Sequence, residues 1–134
     1  PQVIVTFENL GISGHLDHIA VSLTTTYAFT KQNIAKRLFY YCRLQELPQA
    51  EKDFMRRYFV YFPPGFNSKD ITTVIDIQPV WEIKKAAMEK HQSQIKDVKR
   101  ILRFSQLKPK VENFILFGDK KRAPKSDLFE GIVS

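Results

Sequence analysis

The run Val3-Ile4-Val5-Thr6-Phe7 is apolar apart from one threonine, and it opens directly into a glycine-containing loop and then a helical pattern. A continuous apolar run without polar alternation marks a strand buried on both faces, the kind from which parallel sheets are built. Glu8 to Gly14 follows, with Asn9, Gly11, Ser13 and Gly14 as turn-formers. A helix is predicted to start between His15 and His18 and to run to about Lys31. Asp17 suits an N-cap or a first-turn acid, and Ile19, Leu23 and Tyr27 recur at helical spacing. Strand, loop and helix in that order form half of a βαβ crossover, which points to an α/β fold.

The rest of the chain continues the alternation. Ile34 to Leu44, with Arg37-Leu38-Phe39-Tyr40-Tyr41 at its heart, reads either as a strand or as the end of a helix. Pro48 to Asp53 is helix-like, and Tyr58 to Phe62 is aromatic and β-branched until Pro63-Pro64-Gly65 stops it, as a strand would be. Ile71 to Ile77 alternates well enough for another strand. One amphipathic helix is predicted from Pro79 to about Leu107, with Ile83, Ala87, His91, Ile95, Val98 and Leu102 as its apolar stripe and Lys85, Lys96 and Lys99 outside it. Trp81 is expected to anchor its start. Phe114 to Phe117 reads as a short strand, and the charged tail from Asp119 onwards as loop.

Composition narrows the class. With 134 residues, 43% of them hydrophobic and 26% charged, a packed core is expected and disorder is not. No apolar stretch is long enough for a membrane helix. The single cysteine, Cys42, rules out an internal disulfide framework and any multi-cysteine zinc site, which suits a cytoplasmic compartment. The net charge of +7 is concentrated between Lys84 and Lys125, where 13 Lys/Arg face 4 Asp/Glu. That excess fits an anionic partner or a solvated helix face. No aromatic-rich basic motif accompanies it, so nucleic acid is not expected. The chain opens at Pro1 straight into a core-type strand, which leads us to expect further chain before it.

Two of the three histidines sit in Gly14-His15-Leu16-Asp17-His18, just past the strand. In open α/β sheets, ligands bind beyond the carboxyl ends of strands. Residues three apart at a helix start share a face. The positive end of the helix favours neutral imidazole, the form that binds metal, and suits a developing oxyanion. Asp17 can orient a ring nitrogen. The same three residues also make a plain helix cap, and spacing alone leaves both readings open. Two histidines are too few for a catalytic zinc, which takes three protein ligands.

The stretch from Val3 to Val21, Val-Ile-Val-Thr-Phe-Glu-Asn-Leu-Gly-Ile-Ser-Gly-His-Leu-Asp-His-Ile-Ala-Val, resembles the second signature of the LmbE-like, or PIG-L, N-deacetylases. That signature is an apolar strand, a phenylalanine and an acid, then G-x-x-G-H-P-D-H and an apolar helix start. Lys84 to Gln94 is similar to the family's K-x-x-A-x-x-x-H-x-S-Q, with one residue of slack at the lysine. Together the similarities span residues 1 to about 117. The resemblance implies a Rossmann-like three-layer α/β/α fold with a mainly parallel sheet, of which residues 1–134 would be roughly the C-terminal half of a single deacetylase domain. It implies His18 as a zinc ligand, His15 as the group that stabilises or protonates the tetrahedral intermediate, and Asp17 as its support. His91 would support the site from behind, although a lone histidine on an apolar stripe is commonly a packed core residue. Leu16 replaces the usual proline and Glu8 the usual aspartate. The family's A-H-P-D-D-E motif, which supplies the other zinc ligands and the base, has no counterpart here, so those groups are expected from an N-terminal part.

The activity implied by the resemblance is zinc-dependent removal of an N-acetyl group from an N-acetylglucosamine-type conjugate, with residues 1–134 inactive alone. The partner would be that amino-sugar conjugate, and a homo-oligomer is compatible with it. An amidase on another acylated amine or on a thiol-sugar conjugate is the rival within enzymes. A non-catalytic module for an anionic polymer is the rival outside them.

Overall fold

The structure is a computed structural model that describes residues 1–47, 49, 52, 53, 55, 61–106, 108–118, 121 and 123–132. Strand β1 (Val3–Phe7) leads through a single helical turn, α1 (Gly11–Gly14), into helix α2 (Leu16–Lys31). Strand β2 (Arg37–Cys42) follows and lies parallel to β1, with Val3 opposite Arg37 and Phe7 opposite Tyr41. This completes the βαβ unit expected from the first residues, and within Ile34 to Leu44 it makes Arg37–Cys42 strand and not helix. After β3 (Thr73–Asp76) come helices α3 (Trp81–Glu89) and α4 (Ile95–Ser105) and strand β4 (Val111–Leu116).

The four strands form one sheet in the order β1-β2-β4-β3. The sheet is mixed, not mainly parallel: β4 runs antiparallel to β2, with Phe39 opposite Leu116 and Cys42 opposite Asn113. Strand β2 is central, and its neighbouring residues Leu38 and Phe39, which point to opposite faces, are both wholly buried. Strand β1 stands at the end of the strand order, and its Val5 is 48% exposed, so the run that looked buried on both faces is only half covered. The core gathers Phe39, Phe114, Leu116 and Ala123, with Val3, Tyr41, Ile75 and Leu128 packed against it. The tail contributes despite its charge. Thr73 Oγ1 donates to the Pro124 carbonyl (2.6 Å), Val74 N–H to that of Lys125 (2.9 Å), and Arg37 Nη1 to that of Leu128 (3.0 Å).

Two helical expectations need correction. Helix α2 keeps its expected bounds but exposes Leu23 and Tyr27. Its inner face runs instead through buried Ser22 and half-buried Thr26 and Phe29. Thr26 Oγ1 satisfies itself on the Ser22 carbonyl and meets the Tyr40 hydroxyl (both 2.8 Å), and Phe29 sets its edge on Phe117. Short hydroxyl side chains allow a close approach to the sheet, which an apolar count does not register. The helix predicted from Pro79 to Leu107 breaks at His91 (φ −76°, ψ 72°) and resumes after a 3₁₀ turn at Gln92–Gln94. The Gln92 amide donates to the Glu89 carbonyl at this break (2.9 Å). The interruption shifts the phase of the stripe. Val98 and Leu102 are buried as expected and Ile95 half-buried, whereas Ile83 (72%), Ala87 and His91 are exposed. Trp81 is half-buried beneath the Lys110 ammonium, 4.8 Å from the ring centre.

Of the Pro48 to Asp53 helix, Gln49, Lys52 and Asp53 are helical, and the remainder lies outside the described residues. The strand expected at Tyr58 to Phe62 falls outside them except for Tyr61 and Phe62, which are irregular. Backbone contacts divide the chain into two compact units, Pro1–Ile75 with Asn113–Ser134, and Asp76–Glu112. The second holds α3 and α4 and a half-buried ion pair between Lys84 and Glu112. No helix among the described residues is long and apolar enough to cross a membrane.

Candidate active site

The loop between β1 and α2 is held by an acid. Glu8, at the end of β1, is 4% exposed, and its carboxylate accepts the N–H of Leu10 (2.6 Å) and of Ile12. A carboxylate accepting backbone N–H groups is a strong fastening for a tight turn. It is needed here, because Ile12 sits at φ 65°, ψ −51°, a conformation that costs a β-branched residue about 1–3 kcal/mol. Gly11 has φ +67°, and a Cβ there would lie 2.9 Å from His18 Cβ and 3.0 Å from Ile19 Cγ1. Only glycine lets the loop rest on the first turn of α2.

That contact orients His18. Its Nδ1 lies 3.1 Å from the Gly11 carbonyl oxygen, and its ring stacks on Phe7 with centroids 4.0 Å apart and planes 10° from parallel. A carbonyl oxygen can only accept, so the neutral ring carries its proton on Nδ1 and presents the Nε2 lone pair. A histidine backed by a carbonyl in this way is prepared to bind a metal.

His15 has the opposite arrangement. It is the N-cap of α2 in extended geometry (φ −68°, ψ 126°), and its Nδ1 accepts the Asp17 backbone N–H at 3.2 Å. The neutral ring therefore carries its proton on Nε2 and presents a donor. The two ring centres are 5.1 Å apart, and the His15 side chain is 59% exposed. Asp17 acts first through its backbone. Its carboxylate, 86% exposed, stands 3.8 Å from His15 Nδ1, outside hydrogen-bond range but placed to face a protonated ring. Side by side, one imidazole can ligate and the other can donate to an oxyanion.

The remaining candidates fall elsewhere. His91 is exposed between α3 and α4, in the second compact unit. Cys42 is 2% exposed, and burial, with the Glu8 carboxylate as a lesser cause, pushes its thiol up to about 12. Cys42 is therefore a packing residue and not a nucleophile. No cluster of three or more His, Cys, Asp or Glu that could hold a metal exists among the described residues. Sequence reasoning gave Phe7 and Glu8 no role beyond matching a pattern. The signal was an acid directly after an apolar strand, where a buried carboxylate has loop N–H groups to hold.

The comparisons with known proteins bear on this geometry. A 1D-myo-inositol 2-acetamido-2-deoxy-alpha-D-glucopyranoside deacetylase of Saccharomonospora viridis is 32% identical to the chain over 144 aligned residues, covering 98% of the chain and 54% of the relative. The chain is similar to that deacetylase over nearly its whole length. A protein of the same name from Actinosynnema mirum is 29% identical over 103 residues, covering 71% of the chain and 36% of that relative. The resemblance to the LmbE-like deacetylases read from the sequence therefore holds. The chain spans about half the length of the first relative and about a third of the second. No protein-family model matches the chain, and no solved structure matches it significantly.

Proposed function

We propose that this chain is the C-terminal portion of a single LmbE-like deacetylase domain, and that the whole protein hydrolyses the N-acetyl group of an N-acetylglucosamine-type conjugate with the help of zinc. The observation that carries this reading is the pair of opposed ring environments: His18 Nδ1 faces the Gly11 carbonyl oxygen at 3.1 Å, and His15 Nδ1 accepts the Asp17 N–H at 3.2 Å. His18 fits one position of a zinc site, and its carbonyl-backed ring is the kind of ligand such sites use. Two further ligands and the general base would come from chain beyond these 134 residues. Zinc, when bound, would supply a Lewis acid for an acetamide carbonyl and for an attacking water.

The chain's own part would be to position and stabilise. The His15 Nε2–H would donate to the acetamide oxygen as it gains negative charge on becoming tetrahedral. Between stabilising the intermediate and protonating the leaving amine, the geometry favours the first, because a neutral ring that accepts at Nδ1 has a hydrogen bond to give and no spare proton. The N-terminus of α2 adds positive potential on the same side. The names of the two relatives support an amino-sugar glycoside as substrate.

Acetate release by the full-length protein from an N-acetylglucosaminyl inositol tests the reading. Acetate should form, should stop with a chelator and should return with added zinc, while residues 1–134 alone should hold zinc weakly and release none. Turnover of other acylated amines in preference to the sugar would move the substrate assignment to a general amidase. No acetate from any acetamide by zinc-loaded protein would overturn the reading.

A further inference from the structure

The segment from Tyr61 to Phe66 brings an exposed aromatic ring close to Gly14, the residue before His15. Tyr61 is 63% exposed. A Cβ built on Gly14, the residue before His15, would stand 3.7 Å from Tyr61 Cδ1 and 3.5 Å from Pro63 Cδ. The segment thus stands where a side chain at Gly14 would touch it.

The segment is fixed at several points. Pro63 is fully buried. The Arg43 guanidinium donates to the Pro63 carbonyl and sits 4.4 Å over the ring of Phe62. Phe66 N–H donates to the Arg43 carbonyl (2.8 Å), and Gln45 N–H to that of Phe66 (2.9 Å). Gly65 presses on the backbone of Arg43 and Leu44 where a Cβ would not fit. A tyrosine held on a clamped, proline-rich segment, with most of its ring in solvent, is prepaid in conformational entropy as a contact surface. Its flat apolar face and polar tip match a pyranose, which offers C–H groups on one face and hydroxyls around its rim.

We infer that Tyr61 is the platform of a sugar subsite beside His15, packing its ring on the pyranose of the substrate so that the 2-acetamido group reaches the histidine pair. This rests on the deacetylase reading for the identity of the sugar and adds the residue that selects it. Tyr61 would bind the ring and take no part in bond breaking. Its loss should therefore weaken ground-state and transition-state binding alike, and KM should rise without a matching fall in kcat.

The test uses the full-length protein with Tyr61→Ala and Tyr61→Phe. Kd for a methyl glycoside of N-acetylglucosamine is measured by calorimetry, and kcat and KM are measured on that glycoside and on N-acetylethanolamine, an acetamide without a ring. Tyr61→Ala should weaken Kd and raise KM for the glycoside by about 10-fold, the scale of one good aromatic contact, and leave the acyclic substrate unchanged. Tyr61→Phe should stay within about 2-fold of the wild type, because the ring face is retained. Kd and KM for the glycoside unchanged in Tyr61→Ala, no measurable binding of the glycoside by the wild type, or equal losses on both substrates would each overturn the subsite. Tyr61-dependent binding without acetate release would leave the sugar subsite standing and remove the deacetylase reading instead.

Discussion

His15 and His18 are three residues apart, and their Nδ1 atoms meet opposite partners: one accepts a backbone N–H and the other faces a backbone carbonyl. Their substitutions should therefore fail differently in the full-length protein. On the proposed roles, His18→Ala would remove a ligand, so zinc content should drop and activity with it. On the same roles His15→Ala would leave the ligands whole, so zinc content should hold while kcat falls about 10²–10³-fold, the loss seen when one oxyanion donor is removed. A ligand acts on the ground-state metal complex and an oxyanion donor mainly on the transition state. Elemental analysis beside kcat reads both. Zinc lost from His15→Ala and kept by His18→Ala would reverse the assignment. That these histidines share a face was legible from their spacing, and their ring centres are 5.1 Å apart. Which nitrogen each ring offers was not, since it depends on Gly11 O and Asp17 N.

Helix α2 and the α3–α4 pair show two ways in which an apolar stripe misleads. In α2 the period is right but the buried face uses Ser22 and Thr26, so the large apolar side chains stand outside. In the second case one period was read through what are two helices, and the break at His91 rotates the first half out of phase. The contrast can be measured. Leu102, 9% exposed on α4, should cost about 2–4 kcal/mol on substitution by alanine, as buried leucines do. Ile83, 72% exposed on α3, should cost about 0.5 kcal/mol or less. Urea denaturation of Leu102→Ala and Ile83→Ala reads the difference; equal losses would mean that the stripe is continuous after all. The loop itself was clearer from sequence, because Gly11 and Gly14 stand where a turn needs a missing side chain; the Glu8 carboxylate that fastens it was not.

The sheet binds distant parts of the chain through β2, and Cys42 at its end reports on whether that assembly is intact. Its thiol, held up to about 12 against an ordinary 9.0, should resist alkylation at pH 8 in the native protein and react once urea opens the sheet. The raised value also makes stability depend on pH. Below pH 9.0 the thiol is neutral in both states and its contribution is fully present; as pH rises toward 12 the unfolded chain ionises first and the contribution is lost. Relative to Cys42→Ala, the native protein should lose stability progressively from pH 9.0 upward, and parallel stability profiles would show that Cys42 is not shielded. The α/β class, the βαβ opening, the bounds of α2 and the placing of His15, Asp17 and His18 beyond β1 were all determined by the sequence itself, because they depend on neighbours along the chain. The antiparallel β4, the half-covered β1, the burial of Ala123 and Pro124 and the approach of Tyr61 to Gly14 were decided by tertiary structure alone. Each joins residues far apart in the chain, where no local period or turn signal records which partner will be found.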